Sequence, residues 1–192
     1  MKKTSKLIKV ILVFALIIGA FSFNSSFAAG QDVEINETNF PDATFREYVK
    51  RFDNNRNGKL STTEINVVKN IDVSEKNIKS IKGVEVFLEL EELECVKNKI
   101  KEIDVSKNTK LKKLNCEWNE LNNLDVTKNT SLVELKCGIN NLTTLNLTNN
   151  KQLEVLWCYT NRLKNLDISQ NTSLREMSVS YTHLTLPTIL LV

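Results

Sequence analysis

Side-chain oxygens are concentrated in one twelve-residue stretch near the amino terminus, from Asp53 to Glu64. If Asp53 is counted as the first place, oxygen-bearing side chains occupy the first, third, fifth, ninth and twelfth places, and Gly58 occupies the sixth. Calcium takes about six to eight oxygen ligands, a glycine permits the sharp turn around the ion, and a closing glutamate can supply two of the oxygens. The stretch therefore predicts a calcium site.

This stretch, DNNRNGKLSTTE, resembles the calcium loop of an EF-hand. The resemblance implies Ca²⁺ ligation by the carbonyl of Lys59, by Ser61 directly or through water, and by the side chains of Asp53, Asn55, Asn57 and Glu64. Only two of these groups are anionic, and Arg56 and Lys59 add positive charge to the loop. We therefore expect weak affinity, toward the ~10⁻⁴–10⁻³ M of extracellular modules.

The same residues also allow an interpretation without metal. Ser61-x-x-Glu64 is the sequence of a capping box for a helix carrying Ile65 and Val68, and the two interpretations are compatible. The preceding segment has helical spacing from Phe40, with Pro41 acceptable in the first turn and Phe45, Tyr48 or Val49, and Phe52 on one face. Residues 40–70 are thus predicted to be a helical cap containing the loop at 53–64. Dockerin modules use two such loops, and the sequence shows no second one.

The cysteines are the other residues with reactive side chains, and they recur every 21 residues at Cys95, Cys116, Cys137 and Cys158. In an exported protein four cysteines would ordinarily predict two disulfides. A regular repeat instead stacks them ~4.8 Å apart with parallel Cβ vectors, which is poor disulfide geometry. We therefore predict a buried ladder of free thiols. No Cys-x-x-Cys pair or histidine accompanies them, which disfavours a metal site.

The cysteines belong to four copies of a 21-residue repeat, which start at Leu90, Leu111, Leu132 and Leu153. Each copy begins Leu-x-x-Leu-x-Cys, which predicts a short strand with one inward face, and carries an asparagine at place nine that could satisfy the following turn. A second alternating segment, such as residues 103–106, is predicted to be extended. It ends at a second asparagine, which is Asn108, Asn129, Asn150 or Asn171.

A single copy is too small to form a core, so the copies must stack into a solenoid with a parallel strand ladder. The pattern L-x-x-L-x-C-x-x-N-x-L-x-x-L-D-V-S-x-N-T-x resembles the bacterial leucine-rich repeats of internalin-like surface proteins, in the subtype with cysteine in the strand. The match covers residues 90–173 and departs only at Asn146 and Lys151. The resemblance implies a right-handed, β-rich superhelix whose strand face binds a macromolecule.

The amino-terminal residues 1–28 are predicted to be a signal peptide, because four lysines precede the apolar run from Val10 to Phe21 and small residues stand at the cleavage site. An uncleaved anchor is the alternative. Removing those lysines from 26 basic residues leaves 22 against 23 acidic residues, a net charge of −1. Nothing in that balance favours nucleic-acid binding, which would call for a basic stripe.

The remaining segments are less regular. Residues 29–39 are predicted to be a polar leader, and 71–89 an irregular first coil in which Ile71-Asp72-Val73-Ser74 repeats the Asp-Val-Ser phrase. Residues 174–178 begin a truncated fifth repeat. Residues 179–192 look like a translated sequencing adapter, the alternative being a degenerate last repeat. The sole histidine, His183, lies in this tail, so no histidine-based catalytic site is indicated.

The outward strand positions predict a ligand-binding face, for which we select Trp118, Lys136, Trp157 and Tyr159. Aromatic side chains on a rigid face are typical anchors for protein or sugar partners, although they could be isolated surface aromatics. We expect a secreted or cell-surface, non-catalytic and monomeric binding module that engages an extracellular protein or a cell-surface or cell-wall glycan. The alternative is the amino-terminal part of a larger exported enzyme whose catalytic domain is missing.

Overall fold

The computed structural model describes residues 32–179, in which a small cap precedes a stack of coils. The predicted signal peptide and residues 180–192 of the predicted tail lie outside this range. The cap contains β1 (Val33–Glu34), α1 (Ala43–Val49), a 3₁₀ helix (Lys50–Phe52), β2 (Lys59–Leu60) and α2 (Thr62–Asn66). The coils contain β3 (Asn70–Asp72), a 3₁₀ helix (Val84–Val86), β4 (Glu92–Glu94), β5 (Lys113–Asn115), β6 (Glu134–Lys136), β7 (Val155–Trp157) and β8 (Glu176–Ser178).

The strands β3 to β8 form one parallel sheet in sequence order. Their central residues face inward and are register partners across neighbouring strands, as in Leu93 with Leu114 and Leu135 with Leu156. A sheet in which each strand follows the last at a fixed interval is what stacked coils produce. The predicted parallel ladder is therefore confirmed.

Inward asparagines at place nine hold the turn that leaves each strand. Asn119 Nδ2 donates to the carbonyls of Cys95, Cys116 and Glu117 at 2.9, 3.1 and 3.2 Å, and Asn119 Oδ1 accepts from the Ile100 amide at 3.0 Å. Asn98, Asn140 and Asn161 repeat this arrangement. Each asparagine thus bonds its own turn and the coil before it.

A second asparagine ladder holds the opposite end of each coil. Asn129 is fully buried, and its Nδ2 donates to the carbonyls of Val105 and Asn108 on the preceding coil, both at 2.9 Å. Asn108, Asn150 and Asn171 make equivalent bonds. This confirms the predicted second turn ladder. Between the ladders, Ile103 and Val105 are buried, as the predicted alternation requires, and residues 103–106 are not part of a β-sheet.

The first coil differs from its prediction. Ile71-Asp72-Val73 was matched to the Asp-Val-Ser phrase of the second segment, yet Asn70–Asp72 is β3 and Ile71 is the register partner of Leu93. Val73 therefore takes the place of Cys95 one coil earlier, and its amide donates to the Glu94 carbonyl at 2.8 Å. The sequence Ile71-Asp72-Val73 fits both parts of a repeat, because the strand and the second segment share the same alternation of apolar and polar residues.

The cap packs against this first coil. Phe45 and Val49 of α1 are buried in the same apolar cluster as Ile71 and Val73, and the Phe52 and Phe87 rings meet edge to face at 5.4 Å. The predicted polar leader contains β1, which pairs antiparallel with β2. The helix starts at Ala43 with Asp42 as N-cap, so Pro41 precedes it instead of lying in its first turn.

The cysteines form a buried row of free thiols between the two ladders. Cys95, Cys116 and Cys137 are 0 % exposed and Cys158 is 2 % exposed, and Val179 is buried next in line. Burial raises the pKa of each thiol, in the case of Cys158 to about 12. The thiols therefore act as small apolar core residues, as predicted.

We expect the thiols to be protected from reagents in the folded protein. Titration with a maleimide should label almost none of the four cysteines under native conditions and all four after denaturation without reductant. The reason is that burial both excludes the reagent and disfavours the reactive thiolate. Fewer than four labelled after denaturation would show disulfides and contradict the ladder of free thiols.

Candidate functional site

The outward side chains of the sheet form one surface, which we call the strand face. Its first row consists of register partners on β3 to β8, namely Asp72, Glu94, Asn115, Lys136, Trp157 and Ser178. Its second row lies two residues further along each coil and consists of Ser74, Val96, Glu117, Gly138 and Tyr159. Alternation along a strand places both rows on the same side.

The turn beside the strand face has an unusual backbone at place eight of every copy. Lys97, Trp118, Ile139 and Thr160 have φ values of 52°, 54°, 52° and 49°. Bulky and β-branched residues rarely adopt this left-handed conformation, which costs about 1–3 kcal/mol per residue. The asparagine that follows each of them fixes the turn in place. Trp118 is held by this turn with half of its surface exposed.

Lys136 and Trp157 form a cluster on neighbouring strands. Lys136 Nζ lies 4.2 Å from the centroid of the Trp157 ring and 2.6 Å from Glu134 Oε1. Trp157 Nε1 donates to Glu176 Oε1 at 2.7 Å. The ammonium charge and the indole N–H are therefore both engaged within the protein, and what this cluster offers a ligand is the exposed part of a fixed aromatic surface.

Tyr159 lies across Gly138 next to Glu117. A Cβ on Gly138 would come within 2.8 Å of the Tyr159 ring and 3.0 Å of Glu117 Oε1, so the absence of a side chain makes room for both. Glu117 is only 7 % exposed, and its Oε1 has no hydrogen-bond partner among the described residues. A side-chain hydrogen bond with the Glu117 carboxylate, followed by burial and the negative charge of Glu117, raises the pKa of the Tyr159 hydroxyl to about 12.

The structure thus places three of the four selected residues on the strand face and the fourth, Trp118, in the turn beside it. Glu117 and Gly138 were not selected. Glu117 occupies an outward place in its repeat, and the sequence did not indicate that Tyr159, two coils further along, would cover it. The available signal was that Gly138, which has no side chain, lies between Glu117 and the large Tyr159 in the same row.

The candidate calcium loop closes on itself. The Asn57 and Gly58 amides donate to the two oxygens of Asp53 at 3.1 and 2.8 Å, and the Asn54 amide donates to Glu64 Oε1 at 2.8 Å. Asp53 and Glu64 are only 8 % and 7 % exposed. The first and last residues of the loop are therefore brought together, with both carboxylates turned inward.

The loop end is also a capping box. The Ser61 amide donates to Glu64 Oε2 at 2.9 Å and the Glu64 amide donates to Ser61 Oγ at 3.3 Å, and these backbone and side-chain bonds with Ser61 lower the pKa of Glu64. Among residues 32–179, no three His, Cys, Asp or Glu side chains cluster as metal ligands. A calcium ion would thus need amide and carbonyl oxygens beside the two carboxylates, which is a donor set that calcium accepts.

Comparison with solved structures shows which fold this is. The chain is similar to the functional domain of InlJ from Listeria monocytogenes, which includes a cysteine ladder, with 34% identity over 79% of this chain and a TM-score of 0.73. It is also similar to an internalin, InlF, from Listeria monocytogenes (22% identity, 78% of this chain, TM-score 0.68) and to a leucine-rich-repeat protein of Leptospira interrogans (28% identity, 65%, 0.59). The chain has an internalin-like leucine-rich-repeat solenoid.

The chain spans 34%, 46% and 35% of the lengths of these three proteins, in the same order. No family model and no curated protein matches it. The similarity to a domain with a cysteine ladder agrees with the buried thiol row of this internalin-like solenoid. Within residues 32–179, no helix has the length and apolar character needed to cross a membrane.

We expect Glu117→Gln to lower the pKa of Tyr159. In the wild type the carboxylate disfavours the tyrosinate and the pKa is about 12, so removing the charge should move the pKa toward the ordinary ~10. Ultraviolet titration measures this, with Tyr159→Phe to assign the signal and circular dichroism to show that the protein stays folded. An unchanged Tyr159 pKa in the variant would mean that Glu117 does not act on it.

Proposed function

We propose that the protein is a secreted or cell-surface, non-catalytic binding module whose strand face, together with the adjoining turn at Trp118, engages an extracellular protein or glycan. The observation that carries this proposal is the exposure of Trp118, which is 50% exposed on a turn fixed by buried hydrogen bonds. A rigid aromatic side chain contributes contact area with little loss of conformational entropy on binding.

The similarity to internalins and a leucine-rich-repeat protein supports a binding role for this fold. The aromatic surface of Trp157 adds to the same face, because Lys136 and Glu176 hold the ring in one orientation. The predicted signal peptide at residues 1–28 supports export. We expect a monomer that does not bind nucleic acid and whose mature chain does not span a membrane.

We further propose that the loop at 53–64 binds Ca²⁺ weakly and serves a structural role. Asp53 and Glu64 would provide the charge, and Asn55, Asn57, Ser61 and the Lys59 carbonyl the remaining oxygens. The cap that this loop belongs to is connected to the strand face, because the Asp72 amide of β3 donates to the Tyr48 hydroxyl of α1 at 3.1 Å. An ion that fixes the loop would therefore stabilise the end of the solenoid nearest the cap.

We expect calcium to raise the melting temperature of the protein and Glu64→Gln to abolish the effect. At ~10 Kd the gain is about 1.4 kcal/mol, which thermal scans in millimolar calcium and in chelator can resolve. Glu37→Gln, in the cap but outside the loop, is the matched control and should keep the shift. No shift in the wild type would leave the loop as a capping turn without metal.

The strand face is tested with two unbiased probes, a random displayed-peptide library and a glycan array, applied to the full chain. Ligands selected on the wild type should bind Trp118→Ala at least tenfold more weakly. Val67→Ala is the control, because Val67 is 68% exposed but lies in the cap at the end of α2. Ligands that are indifferent to Trp118→Ala, or an absence of ligands from both probes, would contradict the proposal.

A further inference from the structure

Asn57 and Gly58 are the only Asn-Gly pair in the chain, and both are exposed in the loop at 53–64. The side-chain amide of an asparagine can be attacked by the backbone nitrogen of the next residue, which closes a five-membered cyclic imide. Glycine favours this attack, because it has no Cβ to hinder the approach and its backbone is flexible. The pair is therefore the place in this chain where an asparagine is most open to covalent change.

The loop leaves room for this reaction and activates the group that is attacked. A Cβ built on Gly58, which has a φ of +80°, would meet no atom within 4 Å. Asn57 Oδ1 accepts the Lys59 amide at 2.8 Å, in an Asx turn that has Gly58 at its centre. This bond draws electron density away from Asn57 Cγ. Within residues 32–179 no group accepts a hydrogen bond from Asn57 Nδ2, so the leaving nitrogen is not held.

One contact restrains the attacking nitrogen. The Gly58 amide donates to Asp53 Oδ2 at 2.8 Å and must leave that carboxylate before its nitrogen can close the ring. Asp53 is buried, whereas residues 54–59 are all exposed. The local opening of an exposed loop costs far less free energy than global unfolding. The reaction therefore needs only a local motion of the loop.

The asparagines of the two ladders lack these features. Asn119 and Asn129 are buried, and their Nδ2 groups donate to three and two backbone carbonyls. The residues that follow them, Glu120 and Thr130, carry side chains that hinder the backbone nitrogen. The structure thus protects the asparagines of the coils and leaves Asn57 unprotected.

We propose that Asn57 is a site of spontaneous deamidation, which converts the fifth place of the loop from an amide to a carboxylate. The Gly58 nitrogen forms a bond to Asn57 Cγ, the bond from Cγ to Nδ2 breaks, and ammonia leaves with the proton that Gly58 gives up. Water then opens the imide. Addition of water at Cγ gives aspartate, and addition at the backbone carbonyl carbon gives isoaspartate. The sum is asparagine and water to an aspartyl residue and ammonia, with no oxidant or reductant.

The aspartate product changes the charge of the loop, a consequence that rests on the calcium role proposed above. Asp53 and Glu64 balance Arg56 and Lys59, so the loop has no net charge, and a carboxylate at residue 57 makes it −1. The calcium affinity of such loops increases with the number of charged ligands. Without an ion the new carboxylate repels that of Asp53, whose Oδ1 accepts the amide of residue 57 at 3.1 Å. The modified loop should bind Ca²⁺ more tightly and be less stable without it.

The test follows the full folded chain during incubation with chelator, in water labelled in its oxygen, by peptide mapping and mass spectrometry. The label enters only carboxylates formed during the incubation. Because rates depend steeply on how closely the reacting atoms approach, Asn57 should react roughly tenfold faster than any other asparagine of residues 32–179. Gly58→Ala keeps Asn57 and adds one methyl group in open space, and it should slow the reaction about tenfold. The comparison within the wild-type chain does not depend on the folding of this variant.

Asn57→Asp supplies the aspartate product for a second measurement. Its melting temperature should be lower than that of the wild type in chelator and should rise more on addition of calcium. Asn54→Asp adds the same charge at a place that is not a predicted ligand and should not enlarge the calcium shift. An unmodified Asn57, or one that reacts no faster than the other asparagines, would overturn the inference. A calcium shift that Asn57→Asp does not enlarge would overturn the tighter binding. If neither the wild type nor Asn57→Asp responds to calcium, the calcium role fails, while peptide mapping still decides the deamidation.

Discussion

Each coil of this protein depends on its neighbour for the hydrogen bonds of its turns. The asparagines at place nine donate to backbone carbonyls on two successive coils, and their oxygens accept amides of the preceding coil. The asparagines of the second ladder donate to carbonyls of the preceding coil. Backbone groups buried at a turn must be paired, and at these turns neither a helix nor a sheet pairs them. The apolar residues have the same dependence, since one coil is too thin to enclose its own leucines. The stack is therefore the smallest unit that can be stable.

The dependence of each turn on its neighbouring coils also fixes the geometry of the strand face. The asparagine at place nine follows a residue with positive φ in each of the four copies, so the turn stores strain that the buried bonds must offset. Trp118 is held in such a turn while half of its surface stays exposed. A ligand that contacts it would meet a surface already ordered by folding, which reduces the entropy lost on binding.

Much of the solenoid could be predicted from the sequence because its period is strict. The parallel ladder, both asparagine ladders and the buried thiols follow from residue types that recur every 21 residues. The assignment of the first coil was wrong, because Ile71-Asp72-Val73 has the same alternation as two different parts of a repeat. Val73 in the place of a cysteine became recognisable only from the register of β3 with β4.

The surface was harder to predict than the core, because its residues change from copy to copy. Positive φ at Trp118 and Ile139 could not be read from the sequence, where glycine or asparagine would be the ordinary signal. The contact of Lys136 with the Trp157 ring and the burial of Glu117 beneath Tyr159 depend on side-chain contacts between coils, which no single repeat contains. The strand in residues 29–39 was missed because β1 is two residues long and gains its partner, β2, from the far side of α1.

The interdependence of the coils is tested most directly by Asn119→Ala. The variant leaves the buried Ile100 amide without a partner and removes one of the two donors to each of the carbonyls of Cys95, Cys116 and Glu117. The free energy of unfolding should therefore fall by more than about 2 kcal/mol. Hydrogen exchange should quicken in the coils that begin at Leu90 and Leu111 alike. Asn123→Ala, at an exposed position four residues further along the same repeat, is the control and should change stability by less than about 0.5 kcal/mol. A loss of less than about 1 kcal/mol for Asn119→Ala, with exchange changed only beside residue 119, would contradict the account.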